Sequence, residues 1–287
     1  MNFTKLQGAG NDFILVDARN QERDWPKLAA AMCDRHYGIG GDGLLLLLPS
    51  AKADFCMRVY NADGSEAEAC GNGLRCFVRY LLENGLTADG ADHILIETRA
   101  GISEVRLQQT ANQLPAIQVS LGLPVFKASE IPVTIDVAPN IVDIKPILDY
   151  PVVIDGDTLP MSFVSLGNPH AVYFVAHPVA DFPLSQTGPK VERHRMFPNR
   201  VNFEVARVID RQRIEARVWE RGVGETLACG TGAAAIAVIA RLHGLIDRSA
   251  DIKLPGGTLN VEWDGAGEVL LSGPAETVFT GEWPTEV

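Results

Sequence analysis

Two cysteines stand on the same short sequence, Cys70-Gly71-Asn72-Gly73 and Cys229-Gly230-Thr231-Gly232. Each Cys-Gly-x-Gly opens what reads as a helix, so each thiol falls where unpaired backbone N–H groups favour its anion. A thiol so placed ionises near neutral pH. Two such thiols facing each other form a two-base device, one removing a proton and the other returning one, which points to racemisation or epimerisation. Taking a proton from the α-carbon of an amino acid is hard because the carbanion has little to stabilise it, and most enzymes recruit pyridoxal phosphate as an electron sink. Without a cofactor the site must be dry, with oriented donors on the substrate carboxylate and two well-placed bases. The amides at Gly71-Asn72 and Gly230-Thr231 suit a carboxylate.

The match extends beyond the thiols. Val59-Tyr60 and Val218-Trp219 lie eleven and ten residues before each Cys, and Glu66 and Glu225 lie four before. Downstream, Asn84-Gly85-Leu86 and His243-Gly244-Leu245 close the two helical runs, 159 residues apart. Gly10-Asn11 matches Gly167-Asn168 at an offset of 157, and Asp42 matches Asn202 at 160. A near-constant offset is what duplication of a half-protein leaves. It predicts two domains, residues 1–122 and 123–275, with 276–287 returning to the first as an edge strand.

These two halves must hold their helices in place. After Cys70, the positions Leu74, Phe77, Val78, Leu81 and Leu82 form an amphipathic stripe. Ala233 to Ala240 is apolar on every face, which means burial all round. Gly85 and Gly244 sit where a left-handed C-cap belongs. Most of the rest reads as short strands between turn residues, among them 13–17, 44–48, 55–60, 93–98, 103–107, 117–121, 171–175, 202–209, 213–218, 258–263 and 268–271. The expected fold class is α/β (α+β): two pseudo-symmetric duplicated domains, each a curled, largely antiparallel sheet around one central helix. Gly38-Ile39-Gly40-Gly41-Asp42-Gly43 precedes an apolar strand instead of a helix, so it is no dinucleotide fingerprint, and no strand–helix–strand alternation is read. Residues 126–158, rich in Pro and β-branched types, read as the crossover plus strands added to the second half.

Bulk properties fit a cytosolic enzyme. The 287 residues carry a net charge of −11, which argues against non-specific binding to nucleic acid or anionic membrane. Met1 to Gly10 has no signal-peptide core, and the longest apolar runs are too short to span a bilayer. Five cysteines, an odd number, read as reduced thiols, and the absence of Cys-x-x-Cys argues against zinc. No metal is expected. Cys33, Cys56 and Cys76 are expected to be inert core thiols.

The sequence closely resembles the diaminopimelate epimerase family along essentially its whole length. The resemblance rests on Gly8-Ala9-Gly10-Asn11-Asp12-Phe13, Arg35-His36-Tyr37-Gly38-Ile39-Gly40, Tyr60-Asn61-Ala62-Asp63-Gly64-Ser65 and the first cysteine motif. In the second half it rests on Leu166-Gly167-Asn168-Pro169-His170, Arg200-Val201-Asn202, Glu220-Arg221-Gly222 and the second cysteine motif. The resemblance implies cofactor-independent interconversion of L,L- and meso-2,6-diaminopimelate in lysine and cell-wall precursor synthesis, in the cleft of a two-domain fold, usually a homodimer. It implies Cys70 and Cys229 as acid and base, with His170 and Glu220 tuning the thiols. It implies Asn11, Asn61, Asn168, Asn202, Glu220 and Arg221 as substrate contacts. The amide positions Gly71, Asn72, Gly230 and Thr231 complete the expected set. Where many members place a substrate-contacting Gln, this chain has Gly43, so that contact is lost or supplied by backbone.

Other readings explain less. Proline racemase and hydroxyproline epimerase share the two-cysteine logic but need no Glu220-Arg221 grip on a distal amino-acid head. A cysteine hydrolase with His170 as base leaves the second motif without a role. A binding protein has no reason to hold two activated thiols.

Overall fold

The computed structural model describes residues 1–67, 70–110, 113–135 and 145–284. Within the proposed crossover, 136–144 lies outside the described residues. The chain forms two compact units, one of Met1–Ser120 with Ser272–Val287 and one of Leu121–Leu271.

The first unit contains strands β1 (Asn2–Gly8), β2 (Asn11–Asp17), β3 (Gly43–Leu48), β4 (Phe55–Asn61), β5 (Glu66–Ala67), β6 (His93–Thr98), β7 (Gly101–Thr110) and β8 (Gln113–Ser120). Its helices are α1 (Trp25–Cys33) and α2 (Gly71–Glu83). The second unit contains β9 (Tyr150–Ile154), β10 (Asp157–Ser165), β11 (Pro169–Phe174), β12 (Asn202–Asp210), β13 (Arg213–Glu220), β14 (Gly224–Thr226), β15 (Ser249–Leu254) and β16 (Gly257–Glu262), with helices α3 (Leu184–Glu192) and α4 (Gly230–Leu242). After β17 (Leu270–Ser272), β18 (Glu276–Glu282) pairs antiparallel with β1.

The two units repeat one plan. In the first, β1–β2 and β3–β4 are antiparallel, while β2–β3 and β4–β6 are parallel and bridged by α1 and α2. In the second, β10–β11 and β12–β13 are antiparallel, while β11–β12 and β13–β15 are parallel and bridged by α3 and α4. The registers match as well: Phe13 lies opposite Gly43 and His170 opposite Asn202. Strand–helix–strand crossovers are therefore present, against the expectation from sequence, and each sheet is mixed although antiparallel pairs dominate. The crossover helices α1 and α3 are each nine residues long. Trp25–Cys33 is capped by Asp24, which accepts from the Lys27 amide at 3.2 Å. Leu184–Glu192 contains the poor helix formers Gly188 and Pro189. Gly188 is needed there, because a Cβ would meet the Trp219 ring at 2.5 Å.

The central helices sit inside the sheets. Helix α2 packs on β1, β2, β3, β4, β8 and β18, and α4 on β10, β11, β12, β15 and β16. The opposite sheet faces are covered by α1 and α3. Strands sandwiched this way are buried on both sides, which is why Leu44 to Leu47 form an unbroken apolar run. Even-numbered Leu44 and Leu46 join the α1 layer, and alternation turns Leu45 and Leu47 toward α2. In β12, Phe203 and Val205 face the α3 layer, and Glu204 lies against the first turn of α4.

Candidate active site

Both cysteines occupy the same local structure. Cys70 is the N-cap of α2, with extended backbone (φ −148°, ψ 111°), and its Sγ accepts from the Gly73 amide at 3.4 Å. Cys229 is the N-cap of α4 (φ −130°, ψ 116°), and its Sγ accepts from the Gly232 amide at 3.4 Å. The third-position glycine is what lets the turn close on the sulfur. A Cβ on Gly73 would lie 3.2 Å from Leu45 and 3.4 Å from the Cys70 sulfur; one on Gly232 would lie 3.1 Å from Glu204 and 3.3 Å from the Cys229 Cβ. The amides of Gly71-Asn72 and Gly230-Thr231 precede the first intrahelical bonds, made by Leu74 and Ala233 to the cysteine carbonyls.

Around Cys70 the first unit gathers Asn72 and Asn11. The Asn72 amide donates to Asn11 Oδ1 at 3.2 Å, and Asn11 donates to the Asp42 carboxylate. Arg75, fully buried, donates to Asn72 Oδ1 at 2.8 Å, and burial lowers its pKa while the neighbouring Cys76 and Cys70 thiols work in the other direction. Asn61 and Gly43 are opposed across the β3–β4 ladder, and Asn61 donates to Ser65 Oγ at 2.9 Å. Gly43 leaves no room for a side chain: a Cβ would meet the Tyr60 carbonyl oxygen at 2.8 Å.

Around Cys229 the second unit gathers Thr231, Asn168 and His170. Thr231 Oγ1 lies 3.5 Å from the Cys229 sulfur and receives the Asn168 amide at 3.3 Å. Asn168 Oδ1 is 2.9 Å from His170 Nε2, and His170 Nδ1 is 2.7 Å from Glu204 Oε1. Glu220 accepts from Thr226 Oγ1 at 2.6 Å. Asn202 spends its amide on backbone, donating to the Pro169 carbonyl at 3.0 Å and accepting from the Arg221 amide at 2.9 Å. It thereby sets the turn that exposes the Arg221 side chain, which donates to the Asn199 carbonyl at 3.2 Å.

Cys229 holds the capping position at which a thiol can ionise near neutral pH, but burial opposes it. Burial pushes its pKa far up, and the charges of Glu220 and Glu204 push the same way against the Thr231 and Gly232 hydrogen bonds. The magnitudes decide this. A helix N-terminus offers an anion about 0.3–1 kcal/mol, whereas burying an ion costs several kcal/mol. Burial therefore favours the protonated thiol at Cys229. The other three thiols are buried, and burial raises their pKa values as well, Cys33 to about 11 and Cys76 to about 12. Among the described residues no three His, Cys, Asp or Glu side chains gather as a metal site, and no helix is long and apolar enough to cross a membrane.

Sequence reasoning missed Glu204 and Arg75. Both break the repeat, since the 159-residue offset puts Leu45 opposite Glu204 and Ala234 opposite Arg75. A charged residue replacing an aliphatic one beside a duplicated cysteine was the signal available.

The fold is shared with solved structures of low sequence identity. A phenazine biosynthesis protein of the PhzF family from Bacillus anthracis matches with a TM-score of 0.70 at 19% identity, over 99% of both chains. A hydroxyproline epimerase from Agrobacterium vitis matches at 0.64 and 15% identity, over 98% of this chain and 91% of that one. The sequence model described as diaminopimelate epimerase matches residues 3–127 and 162–278. Diaminopimelate epimerases from Acetivibrio thermocellus and Moorella thermoacetica are 46% and 43% identical, covering 98% and 100% of both sequences respectively. One from Methanococcus maripaludis is 42% identical over 98% of this chain and 99% of its own. These sequence relatives make the chain an amino-acid epimerase. The chain belongs to the diaminopimelate epimerase family.

Proposed function

We propose that this chain interconverts L,L- and meso-2,6-diaminopimelate without a cofactor, using Cys70 and Cys229 as its two proton-transferring groups. The observation that carries the reading is one thiol-capped helix start built twice, with different charges around each copy. In this reading residues 1–122 with 276–287, and 123–275, are the two halves of the enzyme. The α-carboxylate docks on the amides of Gly71-Asn72 and Gly230-Thr231, whose N–H groups and helix dipoles stabilise the charge that develops at the α-carbon. Cys70 as thiolate removes the α-proton from one face, and Cys229, held protonated, returns one from the other; the roles exchange in the reverse direction. His170 and Glu220 tune the thiols. Asn11, Asn61, Asn168, Asn202, Glu220 and Arg221 hold the substrate, with Glu220 and Arg221 taking the distal ammonium and carboxylate. At Gly43 only backbone is offered, because no side chain fits there. We further assign the enzyme to the cytoplasm, as a homodimer acting on this small molecule alone.

The deciding experiment is incubation of L,L-diaminopimelate with the protein in D2O, with no added metal or pyridoxal phosphate. Gain of one deuterium at one α-carbon, together with the meso isomer, is the expected result. Dependence on added pyridoxal phosphate, or isomerisation without solvent deuterium, overturns the reading.

A further inference from the structure

An acid stands in the second unit where the first unit has a core leucine. The parallel pairs Phe13–Gly43 and His170–Asn202 are equivalent, and two residues further along β3 and β12 come Leu45 and Glu204. The two side chains occupy the same place, each against the third-position glycine of its cysteine motif, at 3.2 and 3.1 Å from a Cβ built there. Glu204 is 0% exposed and lies between the sheet and a helix whose facing residues are alanines and aliphatics. Its Oε2 has no hydrogen-bond partner among the described residues. An under-satisfied buried carboxyl is costly, and the first unit closes the same packing with Leu45. Stability does not account for Glu204.

What Glu204 does hold is His170. Glu204 Oε1 meets Nδ1 at 2.7 Å, His170 Nε2 meets Asn168 Oδ1 at 2.9 Å, the Asn168 amide donates to Thr231 Oγ1 at 3.3 Å, and Thr231 Oγ1 lies 3.5 Å from the Cys229 sulfur. The proton count along this chain is fixed by chemistry. With the Asn168 amide turned toward Thr231, its oxygen requires a proton on Nε2. One further proton is then shared between Nδ1 and Oε1. The pair is either imidazolium–carboxylate or imidazole–carboxylic acid, and is neutral overall in both forms. The titratable groups facing this pair are Glu220 from β13 and Cys229 at the head of α4.

We propose that Glu204 is a positioning residue of the Cys229 half-site: it fixes the ring and tautomer of His170 and, through Asn168 and Thr231, the hydroxyl set on the Cys229 sulfur. This rests on the assignment of Cys229 as a proton-transferring group. Replacing Glu204 by Gln keeps the shape but removes the shared proton. Gln can still donate its amide N–H to Nδ1 of a neutral ring, whereas Leu leaves Nδ1 without this partner and the ring and tautomer of His170 unheld.

The test combines kinetics with a spectrum that needs no variant. In Glu204→Leu, which copies Leu45, kcat for diaminopimelate falls on the order of tenfold or more, KM changes less than about threefold because Glu204 touches no substrate, and the pH profile of kcat shifts. Glu204→Asp, which keeps the acid, restores part of the rate. Glu204→Gln, whose amide donates to Nδ1, keeps more of the rate than Glu204→Leu. In the unmodified protein with 15N-labelled histidine, His170 carries a proton on Nε2, and a strongly downfield proton is shared between Nδ1 and the Glu204 carboxyl. Wild-type kcat and pH profile in the Leu variant, or an Nε2 of His170 without a proton, overturns the proposal. If the unmodified protein does not epimerise diaminopimelate, the proposed function fails, while the imidazole spectrum still decides the coupling of Glu204 to His170.

Discussion

Lys5 is a buried ammonium whose charge is matched by Asp12 at 2.6 Å, with the Gly40 carbonyl as a second acceptor. Arg35 grips the other Asp12 oxygen at 2.6 Å and ties Asp42, the acceptor for Asn11, at 2.8 Å. Burial raises the Asp12 carboxyl, but Arg35 and Lys5 outweigh it and hold its pKa below the ordinary value. A carboxylate depressed on folding contributes stability that is complete above its unfolded pKa of about 4 and is lost as pH falls through the folded value. Asp12→Asn strands the Lys5 charge, so we expect a loss of about 3–5 kcal/mol at neutral pH and a flatter acid limb of stability. Urea unfolding from pH 7 to pH 3 measures both. Gly43 makes a simpler prediction. A Cβ 2.8 Å from the Tyr60 carbonyl, inside a paired ladder, must push strands apart. Gly43→Ala should cost about 1–3 kcal/mol, read as a lowered Tm, and Gly43→Gln, with the same Cβ and a longer side chain, should cost at least as much.

The elements that carry the thiols were legible because their signals are local. A Cys-Gly-x-Gly start, an apolar run and a closing Gly specify α2 and α4 with little help from the rest of the chain. Strands buried on one face, such as Arg213–Glu220, show their alternation plainly. The crossover helices α1 and α3 were illegible for physical reasons: nine residues give a weak period, and α3 contains Gly188, required by the Trp219 ring, and Pro189, both poor helix formers. Missing them concealed the parallel pairs they bridge. Glu204 was hidden because nothing in Asn202-Phe203-Glu204 distinguishes an inward acid from an outward one until the register is known. The thiol caps lead to a test at this scale. Since Cys70 and Cys229 each accept from the third amide of their helix, Ser preserves the cap and Ala removes it. Cys70→Ser and Cys229→Ser should therefore match the parent in Tm, while the Ala variants lose about 0.5–2 kcal/mol. Epimerisation should fall by orders of magnitude in all four, because neither hydroxyl nor methyl replaces a thiol as acid and base. Ser variants that turn over normally would remove both cysteines from the mechanism.

At the scale of the whole chain, fold does not choose the substrate. The hydroxyproline epimerase shares this architecture at a TM-score of 0.64 with 15% identity, so specificity must come from where the two units differ. Their clearest difference near the thiols is the turn after β4 and β13: Asn61-Ala62 in one unit, Glu220-Arg221 in the other. An acid and a base together are what a second ammonium and carboxylate require, and a molecule with two amino-acid ends must be held by one end while the other reacts. Asn202 prepares this turn by accepting from the Arg221 backbone amide, leaving the exposed guanidinium to present a planar fork. Lysine keeps the charge at that position but not the fork. Arg221→Lys should accordingly raise KM for diaminopimelate at least about tenfold, a loss of about 1.4 kcal/mol in binding, with kcat changed far less. Lysine and proline, which lack the distal head, should be very poor substrates, and D,D-diaminopimelate should not turn over. Steady-state kinetics over this substrate set, on the parent and on Arg221→Lys, decides the matter. Efficient racemisation of proline, or an Arg221→Lys enzyme with unchanged KM, would move the assignment to a proline racemase type of activity.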